Sequence, residues 1–473
     1  MSTMALSPVP LGSREEKKNF YKHTLLITLP IIFQYFMDAA VGCADVLMLT
    51  LVKNAEIPLA AASLANQVTF TVGNLVFGLS SAAGVMAAQY FGKGDKKAVE
   101  KVLGLACRLA LILGIFFTLL TAVIPGPLMT LFSNDPDVIE AGRTYLLAVC
   151  ASYVLSAFAQ VYLSVMRSAG RVRMSMAVHS LTVVLNVVLN ACFIFGIGPF
   201  PELGILGVAL ATTISRVIEV IICLADGNVC TIIRLRVKYI LQKAGSMTRE
   251  FMRMAIPAAG NDVIWGLAIS VYAAILGRLS TDMTAANSIA NVVRQFGTVI
   301  CFGTASAAAI ILGQAMGDNK LQEARVYSKR FIGLAVITAL VGGAAILLLR
   351  PVVMDYMHYY VDVSSEAVQQ NISQMLPTML FINAYYILGM SLNTMLICGI
   401  FRSGGDVKYG FFCDLIAMWG YAVPVGLFCA FVLKLPVMWV YFILYLDEFV
   451  KMPVNFWHYK KMTWLKNITR DDA

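Results

Sequence analysis

Residues 63–92 read SLANQVTFTVGNLVFGLSSAAGVMAAQYFG, and residues 288–317 read SIANVVRQFGTVICFGTASAAAIILGQAMG. Ser63-Leu64-Ala65-Asn66 recurs as Ser288-Ile289-Ala290-Asn291, Phe77-Gly78 as Phe302-Gly303, and Ser81-Ala82-Ala83 as Ser306-Ala307-Ala308. Gln89 recurs as Gln314 and Gly92 as Gly317, always 225 residues apart (288 − 63, 302 − 77, 314 − 89, 317 − 92). Identity of this density without a gap marks an internal duplication. Outward from it, Pro30 is answered by Pro257, and Arg167-Ser168-Ala169-Gly170 by Arg402-Ser403-Gly404-Gly405.

Both copies lie in apolar sequence. Of 473 residues, 59 % are hydrophobic and 13 % charged. That is too little charge to cover a soluble protein of this length, so lipid must cover it. Twelve runs long enough to span a bilayer begin near Thr24, Ile57, Val102, Ala141, Met174, Ile205, Phe251, Thr284, Phe331, Leu376, Tyr409 and Pro436. The expected fold is an all-α membrane protein of twelve transmembrane helices in two six-helix bundles. An even-numbered repeat returns the chain to the same side, so the bundles are related by a pseudo-two-fold along the membrane normal. The expected segments are an N-terminal stretch (1–23), the first bundle (24–226), a linker (227–249), the second bundle (250–459) and a tail (460–473).

Lys and Arg crowd alternate connections: Arg14, Lys17, Lys18 and Lys22; Lys93, Lys96 and Lys97; Arg167, Arg171 and Arg173; Arg234, Arg236 and Lys238; Lys320 and Arg325. This bias predicts both termini in the cytoplasm of a bacterium, with the chain in the inner membrane and its first helix retained. The net charge of +9 then faces anionic lipid, and nucleic acid is not an expected partner. The ten cysteines form no CxxC pair and the four histidines are scattered, so neither a metal nor a cofactor is expected. Walker A, GxSxG and HExxH motifs are absent, which argues against direct ATP use and against an intramembrane enzyme.

Acids inside spans carry an insertion penalty of about 2.5–3.5 kcal/mol and are usually functional. Asp38 and Asp45 stand two turns apart on the first helix and share a face. Asn186 and Asn190, one turn apart on the fifth, and Thr212 on the sixth supply neutral oxygens for an ion beside Asp45. Asp262 follows Pro257 closely, Asp414 precedes Trp419 and Tyr421, and Trp265 takes the place of Asp38 in the second half (265 − 227 = 38). Asp38, Asp262, Trp265 and Asp414 are the candidates for a substrate cavity. Glu219 stands at ion-pair spacing from Arg216, and Asp447 and Glu448 stand close to Lys451.

Over residues 25–455 the chain resembles the multidrug and toxic compound extrusion family. The resemblance rests on Pro30 followed by Asp45, on Phe77-Gly78-Leu79-Ser80-Ser81 running to Gly92-Lys93-Gly94-Asp95, on Asn186 through Phe195-Gly196, on Leu203 to Thr212, and on Arg402-Ser403-Gly404-Gly405-Asp406. It implies a monomeric antiporter, coupled to H⁺ or Na⁺, that exports bulky and often cationic organic compounds by alternating access. Two acids of some members are replaced here by Trp265 and Ser391, and an Asp that others carry is Asn190. The alternative is a flippase for a lipid-linked precursor in a related superfamily. Such a protein favours a basic central cavity, whereas the buried charges expected here are mainly acidic.

Overall fold

The computed structural model describes residues 11–50, 56–230, 232–242, 245–360 and 366–470; the side chains of residues 43, 45–47, 49, 50, 56, 59, 281, 356–360 and 366–369 lie outside the description. The first bundle comprises α1 (Arg14–Thr50), α2 (Glu56–Gly92), α3 (Lys96–Val123), α4 (Pro136–Val149 with Ala151–Ser168), α5 (Val172–Phe195) and α6 (Ile205–Val229). The second comprises α7 (Ser246–Leu279), α8 (Thr281–Gly317), α9 (Leu321–Tyr360), α10 (Glu366–Thr394 continuing as Met395–Phe401), α11 (Val407–Asp414 through Phe428–Val432) and α12 (Val437–Leu444 with Asp447–Lys460). Ten described helices are long and apolar enough to cross a membrane, and α4, bent by 46°, makes an eleventh. The twelfth helix is α12, broken at Tyr445-Leu446 into pieces of 8 and 14 residues.

Several helices start before their apolar runs. Those of α1 and α9 were expected near Thr24 and Phe331, but the helices begin at Arg14 and Leu321. Backbone hydrogen bonding continues past the hydrocarbon into polar sequence, and hydropathy does not register that extension. Helix starts follow local chemistry: the Asp95 side chain accepts from the Ala98 N–H to cap α3, and Asp135 caps α4 ahead of Pro136. Gly170 and Gly405, equivalent in the repeat, both turn the chain with φ near +80° (79° and 80°). In α11 the backbone runs as a π stretch over Leu415–Ala422, just before Pro424. Pro424 cannot donate to the preceding turn, and a local π adjustment re-satisfies the freed carbonyls.

The duplication is structural. The pseudo-two-fold carries α1 onto α7 and α2 onto α8, so the pairing of α1 with α8 must recur as α7 with α2, and both pairs pack closely. Where α2 crosses α8, a Cβ on Gly92 would come 2.0 Å from the Gln314 carbonyl oxygen, and one on Gly317 would come 1.9 Å from that of Gln89. Gln89 donates to the Ser403 carbonyl at 2.7 Å, and Gln314 to the Ser168 carbonyl at 2.9 Å. At this crossing the tail breaks the symmetry. Trp464 is fully buried and stacks on Tyr459, and the strand of chain beyond it crosses the end of α2.

Candidate functional site

Between the bundles lies a cavity of about 70 Å³, lined by residues of α1, α2, α4, α8 and α10. Its walls repeat: Phe77 and Ser81 face their equivalents Phe302 and Ser306. Two arginines reach it from the ends of α4 and α10. Arg167 donates to the side-chain oxygen of Gln34 at 2.9 Å, and Arg402 to that of Asn261 at 2.7 Å. Gln34 and Asn261 are themselves equivalents (261 − 227 = 34). The charges differ. Arg402 is paired with Asp262 at 2.9 Å and donates to Ser81. Arg167 meets the neutral Gln34, with Asp38 only within electrostatic reach. Arg167 is thus a cavity charge without a hydrogen-bonded acid, while the buried charges among the described residues are mainly acidic, as expected: Glu16, Glu100, Glu219, Asp414, Asp447 and Glu448 against Arg294, Arg402 and Lys451. The cavity's volume holds a few water molecules or one small ionic group, so a bulky compound requires the bundles to part.

On the first-bundle side, His179 of α5 joins acids from two other helices. Its Nε2 lies 2.8 Å from Asp38 of α1, and its Nδ1 3.5 Å from Glu219 of α6. Glu219, 1 % exposed, also accepts from Arg216 at 2.6 Å. Two turns along α5, Asn186 donates to Thr212 at 3.4 Å and accepts from Asn190 at 3.4 Å. The structure thus gathers Asn186, Asn190 and Thr212. Asp45 is on α1, but its side chain lies outside the described residues. Asp38, half exposed, is held by His179. The sequence treated that histidine as scattered; its spacing of seven from Asn186 was the available sign that it shares their face.

The second-bundle side holds a drier network. Lys451 of α12 lies 2.8 Å from Asp414 of α11 and 2.9 Å from Glu448. Asn261 of α7 donates to Asp414 at 2.6 Å and accepts from Arg402, linking this network to the cavity. Asn393 of α10 donates to Glu448 at 2.8 Å and accepts from Asn455 at 2.8 Å. Asp262 and Asp414 thus belong to one chain of contacts, but neither lines the cavity itself. Trp265 packs against the second bundle's core, away from the cavity lining.

A duplicated two-bundle chain with ionisable networks on both sides of an inter-bundle cavity is built as a membrane transporter. The MatE family model matches residues 30–192 and again 263–428. The chain belongs to this family, that of multidrug and toxic compound extrusion transporters. It is 27 % identical over 439 residues to the probable multidrug resistance protein NorM of Rhizobium meliloti, covering 88 % of this chain and 87 % of that one. It is 22 % identical over 448 residues to the uncharacterized transporter YisQ of Bacillus subtilis, covering 93 % and 94 %. Its fold matches that of a MOP superfamily transporter from Pyrococcus furiosus Vc1 with a TM-score of 0.84 at 20 % identity, over 94 % of this chain and 96 % of that one. For that protein, reverse polarity of the binding pocket is said to suggest a different function.

Proposed function

We propose that this protein is a cation-coupled exporter, driven by H⁺ or Na⁺, that moves bulky organic compounds by alternating access. It acts as a monomer in a bacterial inner membrane with both termini in the cytoplasm. The observation that supports this best is the pair of ionisable networks, one in each bundle, on either side of the cavity. A carboxylate that binds or loses a cation changes the local charge. The two packings of the bundles need differ by only a few kcal/mol for such a change to select between them. The naming of relatives as probable multidrug resistance proteins agrees with this reading. In it, Asp45 with Asn186, Asn190 and Thr212 holds the coupling ion, while Asp38 and Trp265 meet the cargo once the bundles part. Asp414 is held by Lys451 and Asn261, and Asp262 by Arg402 through one of its two oxygens. They suit charge transfer between ion and cavity better than contact with bulky cargo.

A second reading rests on Arg167. An arginine in the cavity without an acidic partner favours cargo with an anionic group, including a lipid-linked precursor. One experiment separates the two. Purified protein in proteoliposomes is given separately imposed proton and sodium gradients with a fluorescent organic cation or an organic anion as cargo. Gradient-driven movement of the cation supports the first reading. Movement of the anion alone supports the second, and no response to either gradient overturns cation coupling.

A further inference from the structure

The break in α12 places a carboxylate where no described side chain hydrogen-bonds it. Asp447 is the first residue of the helix's second piece, ten residues beyond Val437 (447 − 437). At 1.5 Å per residue this is ~15 Å into the span, near the middle of a bilayer core about 30 Å thick. The residue is 0 % exposed, and among the described residues neither carboxylate oxygen has a hydrogen-bond partner. Its neighbour Glu448 differs: it is bound by both Lys451 and Asn393.

The surroundings do not neutralise it as they stand. The ionisable groups facing Asp447 are Glu448 and Lys451 of α12, Asp414 of α11, Tyr272 of α7 and Tyr386 of α10. The Lys451 ammonium is already held by Asp414 and Glu448, at the point between two carboxylates that a metal cation would take. Arg294 of α8 reaches the region, but it lies over the rings of Tyr386 and Tyr445, 5.4 and 4.9 Å from their centroids, and forms no ion pair with Asp447. Along the connected network four carboxylates (Asp262, Asp414, Asp447, Glu448) share two cations (Arg402, Lys451). A bare carboxylate at this depth is strongly disfavoured, whereas a carboxylic acid is not. The Tyr272 hydroxyl, also buried and without a partner, lies within electrostatic reach of it.

We propose that Asp447 is a proton-binding site of the second bundle, with Lys451 as its movable counter-charge. Water delivers the proton: a hydronium O–H bond breaks and a carboxyl O–H bond forms, leaving neutral Asp447 beside Lys451 paired to Asp414 and Glu448. In the reverse step the proton returns to water, and the ammonium of Lys451 swings to the Asp447 anion. The helix is broken at this point, as are the discontinuous helices that form midplane sites in transporters. That this step drives export rests on the exporter reading above; proton binding itself does not.

The test is infrared difference spectroscopy of the full-length protein in lipid, between acidic and alkaline buffer, following the C=O stretch of protonated carboxyls. The wild type should show a titrating band. It should vanish in Asp447→Asn, persist in Asp38→Asn and shift in frequency in Asp447→Glu. A band unchanged in Asp447→Asn overturns the proposal. If that variant does not insert, an unshifted band in Asp447→Glu overturns it instead. Failure of export under both gradients with the Asp447 band intact would overturn the exporter reading and leave the proton site supported.

Discussion

The two bundles share one fold and differ in what they bury. In the first, the network is partly exposed: Asp38 is half exposed, Arg216 is about a third exposed, and buried Glu219 meets both Arg216 and the His179 that holds Asp38. In the second, Lys451, Asp414 and Glu448 are all nearly dry, and the helices carrying them depart from regular α geometry. Duplication preserved what the frame requires, namely the Gly92–Gly317 crossing, the Gln89–Gln314 pair and the two arginines on their amides. What it left free to diverge is the interior of each bundle. There a helix break or a π turn re-aims a side chain without disturbing the interface.

This contrast predicts the largest difference where a buried partner is removed. Lys451→Met leaves Asp414 and Glu448 without their cation in a dry site and should destabilise the protein by about 3–5 kcal/mol. Arg216→Met leaves Glu219 with His179 and removes a partly solvated cation. That should cost about 1–2 kcal/mol, between surface-pair and buried-pair values. Unfolding midpoints in mixed micelles measure both. Equal losses would mean that the second bundle admits water to its network and that the contrast is wrong.

Where the bundles agree, substitutions should agree as well. Gly92→Ala and Gly317→Ala each place a Cβ within about 2 Å of a backbone carbonyl (2.0 and 1.9 Å). Neither backbone can yield without separating α2 from α8, so each should lose about 1–3 kcal/mol, by similar amounts. A loss confined to one glycine would show that the crossing is not shared equally by the two halves.

Much of this frame was legible in the sequence because close packing writes small residues at fixed spacing. The 225-residue echo survives since a side chain at Gly92 or Gly317 has nowhere to go. The sites were less legible, for reasons of direction and distance. The echo of Arg167 in Arg402 was visible, but its position beside connecting turns read as loop charge rather than as an inward-pointing pair. His179 meets Asp38 across 141 residues, a contact no local pattern announces. Asp447 and Glu448 are adjacent and read alike. One residue on a helix is a turn of about 100°, and that aims Glu448 at Lys451 while no described side chain hydrogen-bonds Asp447.

The smallest expected difference lies at the amide pair itself, where the symmetric frame meets the asymmetric tail. Gln314 makes one bond, to the Ser168 carbonyl, from a partly exposed position. Gln89 is fully buried and makes three: to the carbonyls of Ser403 and Lys466, and from the N–H of Ile468. Leucine fills nearly the same space as glutamine, so the substitution removes hydrogen bonds more than packing. At position 314 water can replace the lost partner, and Gln314→Leu should cost about 1 kcal/mol or less. At position 89 the tail strand loses the side chain that holds it, while the Ser403 carbonyl loses its buried donor, so Gln89→Leu should cost about 1–3 kcal/mol. The two also differ in kind. Gln89→Leu should loosen residues 466–470, and trypsin should then cut after Lys466 faster than in the wild type. Gln314→Leu should leave that rate unchanged. Equal cleavage in the two variants would mean that the tail is held by its other contacts: Trp464, the Asn467 amide on Gly317 and Asn319, Lys93 on the Arg470 carbonyl, and the Arg470–Glu250 ion pair.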